Sequence, residues 1–221
     1  MIKQVDFYVL AIIILVIMTT SCTQTQTDYY PNGQVMSVRH YSGKKLNGSA
    51  VWFYDNGAKQ QEATFRKDKP EGLMTRWYAN GSKQSEDHYR NGLKNGLSVG
   101  WDENGNKLEE KTYKNDTLSG PYTYWYPSGI VKITGNFSKG LYDSKWEYFS
   151  EKGMKVGEGL YVKGAGKLKG FNPDGSLSRI VTYENNLKHG SEIVYNSDGT
   201  ISETVIYDKG KVVKTIKTEQ N

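Results

Sequence analysis

The sequence says nearly the same thing eight times. Taking the glycine of each tight-turn signal as an anchor, Gly33, Gly57, Gly81, Gly105, Gly129, Gly153, Gly175 and Gly199 lie 24 residues apart, except for one step of 22. Four residues before each anchor stands an aromatic residue, from Tyr29 through Phe53, Trp77, Trp101 and Trp125 to Tyr195. Eight residues after each stands another, from Tyr41 through Phe65, Phe137 and Tyr161 to Tyr207. All sixteen slots hold rings in a chain that is 13% aromatic, so the pattern is not an accident of composition. A fixed period of about 20–50 residues is the signature of units stacked in series, each contacting only its neighbours.

Each unit reads as a β-hairpin. The turn signals include Pro31-Asn32-Gly33, Asp55-Asn56-Gly57, Pro127-Ser128-Gly129 and Pro173-Asp174-Gly175. Proline suits the second position of a type I turn and glycine the left-handed residue after it, which predicts a three-residue loop closed by a glycine bulge. A second glycine recurs 15 residues past the anchor, at Gly48, Gly72, Gly96, Gly120 and Gly190, with Ser144 in that slot of the fifth unit. After residue 28 no glycine-free stretch exceeds 14 residues, and none carries a 3.6-residue apolar stripe, so helices are excluded. The fold class is therefore all-β: an elongated antiparallel meander of about eight 24-residue hairpins in a single twisted layer.

Strand alternation assigns the faces, because side chains point alternately up and down. The rings at −4 share a face with position −6 (Val51, Thr75, Val99), and those at +8 are expected to share theirs with +2 (Val35, Lys59, Lys83). A period of 24 is even, so each unit presents the same face, and a two-residue deletion preserves it. That deletion falls in "GEGLYVKGAGKLKG", the densest glycine patch, where a bend or a soft point is expected. The rings are expected to pile into a continuous seam along the array, since a lone hairpin buries too little to hold its shape.

The chain begins differently. Lys3 precedes an apolar run from Phe7 to Met18, shorter than the ~20 residues a spanning helix needs but right for an export signal. Cys22, the only cysteine, follows "MTTS" and has no partner for an internal disulfide. Its position resembles that of the cysteine lipidated in bacterial lipoproteins, with Thr19 where leucine is usual. The expected organisation is a signal segment at 1–22 ending in Cys22, a short linker at 23–28, the repeat array at 29–214 and a tail at 215–221. The expected location is the bacterial cell envelope, held to the membrane through Cys22.

The unit "WYANGSKQSEDHYRNGLKNG" closely resembles the MORN repeat variant, of the aromatic-aromatic-x-Asn-Gly type found in YwqK-like antitoxin proteins. The likeness runs over about residues 29 to 214. It implies an elongated, twisted array of hairpins, and roles in toxin neutralisation, membrane association or scaffolding. Ser150, Asn172 and Asn196 depart from the pattern, standing where the second aromatic of the motif belongs.

Signals for chemistry are weak. His40 and His88 occupy equivalent slots two units apart, roughly 19 Å at ~4.8 Å per strand, too far to share a metal. Neighbouring acids such as Glu109 and Glu110 face opposite ways along a strand. The "NG" linkers have the glycine of a phosphate loop but no helix follows them. Lysines and acids are mixed along the chain despite the net charge of +5, which gives nucleic-acid binding no stripe to use. No enzyme activity, metal or cofactor is expected. The second aromatic column is the candidate binding surface: Tyr30, Tyr54, Tyr78 and Tyr126 at −3, with Trp52 at −5 on the same face. Tyrosine joins contact area to a polar tip and is favoured at interfaces. The reading is an exported, lipid-anchored repeat protein that binds a protein or glycan partner through this aromatic sheet surface. A toxin-neutralising protein is the alternative.

Overall fold

The computed structural model describes residues 23–218; the signal segment and Cys22 lie outside the described residues. Seventeen strands follow one another: β1 Thr23–Tyr29, β2 Val35–Ser42, β3 Lys45–Phe53, β4 Lys59–Arg66, β5 Lys69–Trp77, β6 Lys83–Arg90, β7 Leu93–Trp101, β8 Lys107–Lys114, β9 Thr117–Trp125, β10 Val131–Ser138, β11 Leu141–Phe149, β12 Lys155–Val162, β13 Ala165–Phe171, β14 Leu177–Glu184, β15 Leu187–Tyr195, β16 Ile201–Asp208 and β17 Lys211–Lys217. Each pairs antiparallel with the next, giving one open meander. Residues 23–28, expected as a linker, belong to the outermost strand, and β17 takes in residues 215–217 of the expected tail.

The Asn-Gly turns are the predicted three-residue loops. In the second unit Gly57 N–H donates to Tyr54 O at 3.0 Å, Tyr54 N–H donates to Ala58 O at 2.8 Å, and Gly57 is left-handed at φ 83°. The same pair of bonds recurs from Gly33 to Gly199. Each such turn carries a bulge that corrects one expectation. Trp52 pairs with Gln61 but Phe53 pairs with Lys59, so Gln60 is the extra residue and Lys59 lands on the −4 face. Val35, Lys83 and Val131 likewise pair with Tyr29, Trp77 and Trp125. Position +2 therefore serves the −4 rings and not those at +8.

A second shift recurs at the opposite edge, next to the +15 slot, where Gly48, Gly96 and Gly120 sit at φ 116–121°. Ser144 takes the same slot at φ 61°, a conformation that costs a residue with a Cβ. The 22-residue unit shows what its missing residues do. β12 and β13 pair without any shift, and β13 is 7 residues long where β11 and β15 have 9. The deletion removes the bulge and leaves the faces in phase.

Successive turns bond to one another across the array. Asp68 N–H donates to Leu46 O, Gly92 N–H to Pro70 O and Asp116 N–H to Lys94 O, each joining one linker turn to the previous unit. Beside the short unit the reach doubles: Asn186 accepts from Tyr142 N–H at 2.7 Å and donates to Gly140 O at 2.9 Å, across 44 and 46 residues. Three linker turns converge there.

The two faces are unequal. Paired residues place Ala50, Ala63, Met74, Asp87 and Ser98 on the face of the +8 rings, all buried. Trp146, Tyr161, Val181 and Glu192 continue it. The −4 face buries little beyond Thr75 and Val99. The sixteen rings are thus divided between two faces and form no single seam. On the −4 face Trp77, Trp101 and Trp125 are covered by Lys59, Lys83 and Lys107, at 5.6, 5.7 and 5.4 Å from the ring centres. Glu62, Glu86 and Glu110 hold those lysines in place.

Candidate functional site: the tyrosine row

The tyrosines at −3 leave the strand at its turn, and their rings lean along the array toward the next unit. Tyr30 Oη donates to Phe53 O at 2.7 Å, Tyr54 Oη to Trp77 O at 2.8 Å, Tyr78 Oη to Trp101 O at 2.9 Å and Tyr126 Oη to Phe149 O at 3.1 Å. Each accepting residue is the −4 aromatic of the following unit. The turn asparagines reinforce the ladder: Asn32, Asn56 and Asn80 donate through Nδ2 to Asp55 O, Ala79 O and Glu103 O. The polar tips expected to meet a partner are therefore spent inside the array. The half-buried rings remain, held at fixed angles.

The ladder has a gap and an end. Asp102 stands at −3 in the fourth unit and turns inward, accepting from Asn104 N–H and Asn106 N–H. Those bonds hold its carboxyl below the usual carboxylate range, led by the side-chain bond from Asn106. Ser150, Asn172 and Asn196 likewise bond within their own turns and reach no neighbour. The row is a property of the N-terminal half plus Tyr126.

Between the rungs lie shallow depressions. One of about 480 Å³ is lined by Tyr30, Pro31, Asn32, Tyr54 and Asp55. Another of about 310 Å³ is lined by Trp52, Tyr54, Gln60, Gln61, Arg76 and Gln84. Trp52 packs edge-on against Phe65 at 5.9 Å, and Arg76 Nε donates to Gln61 Oε1 at 3.0 Å, so the floor of the second depression is ordered. The structure thus brings Tyr30, Tyr54 and Trp52 together around adjoining hollows. Tyr78 follows Tyr54 in the next unit but lines neither hollow, and Tyr126 is separated from the other three by Asp102.

A buried charge cluster lies next to this row and was not anticipated. Asp87, on the +8 face with 2% of its surface exposed, accepts from Ser98 Oγ and Lys94 Nζ at 2.7 Å and from Arg76 Nη1 at 3.1 Å. Burial pushes its pKa up. Hydrogen bonds from Lys94 and Ser98 and the charges of Lys94 and Arg76 outweigh that, leaving it below 3.8. Strand parity could have found it, since Arg76 at −5 and Asp87 at +6 fall on one face once the turn bulge is allowed for. His40 and His88 bond through Nδ1 to the carbonyls of Ser49 and Leu97, and among the described residues no group of metal-ligating side chains converges.

The family model described as MORN repeat variant matches residues 25–42, 46–67, 70–91, 94–115 and 118–139. Among solved structures, "Crystal Structure of TcdB2-TccC3-TEV" is 12% identical over 83% of this chain with a TM-score of 0.23. "Crystal Structure of TcdB2-TccC3-Cdc42" is 10% identical over 85% with a TM-score of 0.20. The chain spans only 12–13% of the length of those two chains. No curated protein matches it.

Proposed function

Because the chain belongs to the MORN repeat variant family, we propose that it is an exported, lipid-anchored scaffold that binds a macromolecular partner along its tyrosine row. The observation that carries the reading is the recurrence of ring-lined hollows on an edge stiffened by Tyr–carbonyl bonds. A side chain held by its neighbour has little freedom left to lose when a partner arrives, so more of the contact energy remains as affinity. Aromatic walls with an arginine and glutamines between them suit an extended protein segment, whose apolar side chains fill the hollows and whose backbone meets the amides. The leader and Cys22 supply the anchor.

A photo-cross-linking residue placed at Gln60, inside a hollow, is expected to capture the partner, whereas one at Thr64, exposed on the other face, is expected to capture nothing. Equal capture from both positions would remove the row as the binding surface. The anchor is tested separately: Cys22→Ala is expected to abolish palmitate labelling and release the protein from membranes.

A further inference from the structure

The two long edges of the sheet carry opposite charge. The linker-turn edge consists of the four residues at +9 to +12 from each anchor, and these hold eleven lysines and arginines against four carboxylates, a balance of +7. The Asn-Gly edge, from −3 to +1, holds six carboxylates against the single Lys152, a balance of −5. The chain's modest overall charge hides this division, because hairpin folding sorts alternate turns to opposite sides. All eleven edge cations are exposed, and none takes part in an ion pair among the described residues. None of the six carboxylates of the other edge takes part in an ion pair either, and five are exposed; Asp102 is half-buried, and it, Asp174 and Asp198 accept hydrogen bonds within their own turns. All four linker carboxylates are already engaged, Asp68 by Leu46 N–H, Asp116 by Lys94 N–H, and Glu184 and Asp208 by the His189 ring, which leaves the lysines there still less opposed. Apart from the contacts of His189 with Glu184 and Asp208, the ion pairs that the chain makes, such as Lys59–Glu62 and Arg76–Asp87, lie on the faces between the two edges.

We propose that copies of this chain associate side by side, the basic linker edge of one against the acidic Asn-Gly edge of the next. A second copy is the partner whose charges must match in spacing as well as sign, since both rows step by the same repeat unit. Because the two rows lie on opposite edges, each copy uses one edge for each neighbour. The contact is heterologous and open-ended, and all copies point the same way. Neighbouring turns lie within about a Debye length of each other at physiological salt, so the basic row, with a cation in seven of its eight linkers, acts as a line of charge, while the acidic row is concentrated in the second, fourth and sixth to eighth turns.

The chain from Thr23 onward contains every strand of the sheet and is the material for the test. At about 10 mM salt its sedimentation is expected to show a mass rising with concentration, and at about 1 M salt a single chain, because screening shortens the reach of charge about tenfold. Reversing the linker edge (Lys44→Glu, Lys69→Glu, Arg90→Glu, Lys114→Glu) leaves both edges negative, and reversing the other (Asp55→Lys, Glu103→Lys, Glu151→Lys) leaves both positive. Each variant alone is expected to stay a single chain with an unchanged circular dichroism spectrum. Mixed together, they are expected to co-assemble with equal numbers of each. Self-association of either variant at the native level, silence of the mixture, or a native mass indifferent to salt would each overturn the proposal.

Discussion

One face of this sheet is filled in two different ways. From Ser37 to Lys111 its buried side chains, Met74 apart, are small or charged: Ser37, Ala50, Ala63, Asp87 and Ser98, with Arg39, Arg76, Glu109 and Lys111 reaching over them. From Tyr122 to Tyr183 it is filled by rings in unbroken contact. Trp146 stacks on Tyr122 at 5.7 Å, meets Phe137 at 5.0 Å and Tyr142 at 4.6 Å, and donates Nε1–H to Asn136 O. Tyr142 passes the contact to Tyr161, and Tyr161 to Tyr183. The backbone template is the same in both blocks, so it does not dictate what covers it. Glycine makes the difference possible. A Cβ on Gly135 would lie 2.1 Å from Trp146, and one on Gly159 would lie 2.4 Å from the Tyr161 ring. In the ring block the strand gives up its own side chains so that neighbouring rings can lie flat on it.

The largest test of this contrast removes the centre of the ring block. Trp146→Ala should cost about 3–5 kcal/mol, the usual toll of deleting a buried large ring, seen in thermal unfolding. Hydrogen exchange should place the loss in β10 to β13 with β3 to β7 little affected, since repeats couple only to neighbours. Uniform loss along the array would mean the two blocks are one. Asp87→Ala attacks the other block by leaving Arg76 and Lys94 without their buried partner. Such losses run to about 3–5 kcal/mol, and the partial exposure of both cations brings the expectation to about 2–4.

Titration should separate the blocks without mutation. Asp87 has a folded pKa below its unfolded one, so its contribution is present above 3.8 and fades as pH falls through the folded value. Tyr148 is pushed from 10.0 up to about 12, first by burial and then by the surrounding tyrosines, and burial raises Tyr161 and Tyr183 as well. For these phenols the stability is full below pH 10 and is lost as pH rises through the folded values. Acid should open the charged block first and alkali the ring block, read by exchange protection in each and by phenolate absorbance. The reverse order would break the comparison.

Two smaller changes sharpen it. Tyr54→Phe removes the bond to Trp77 O and should cost about 0.5–1.5 kcal/mol, whereas the same change at Tyr195, for which no such cross-unit bond is seen, should be near neutral. Ser144→Gly relieves the left-handed serine in the ring block and should gain about 0.5–1 kcal/mol, measured as a rise in Tm.

The fold was legible because glycine and ring spacing report the hairpin period directly. The bulge at each Asn-Gly turn was recognised as a turn type, but its effect on facing was not. One extra residue, Gln60 in the second unit, moves Lys59 to the opposite side, and simple alternation misses it. The ring block was hidden for a related reason. Tyr122, Tyr142, Trp146 and Tyr148 fall outside the two repeated aromatic slots, so a search tuned to the period passes over them. The tyrosine row was legible as a row. Its bonding was not, because the accepting carbonyls are 23 residues away and come into reach only when turns stack.

The cross-unit bonds also decide how such a chain can change in length. In the first units every bond reaches one neighbour, so duplicating or excising residues 59–82 would rejoin like with like and leave each turn its customary partner. Asn186 breaks that freedom by gripping Gly140 and Tyr142 across an intervening hairpin. Growth and shrinkage by whole hairpins is open to the N-terminal half, while the stretch from Gly140 to Asn186 can be inherited only as one piece.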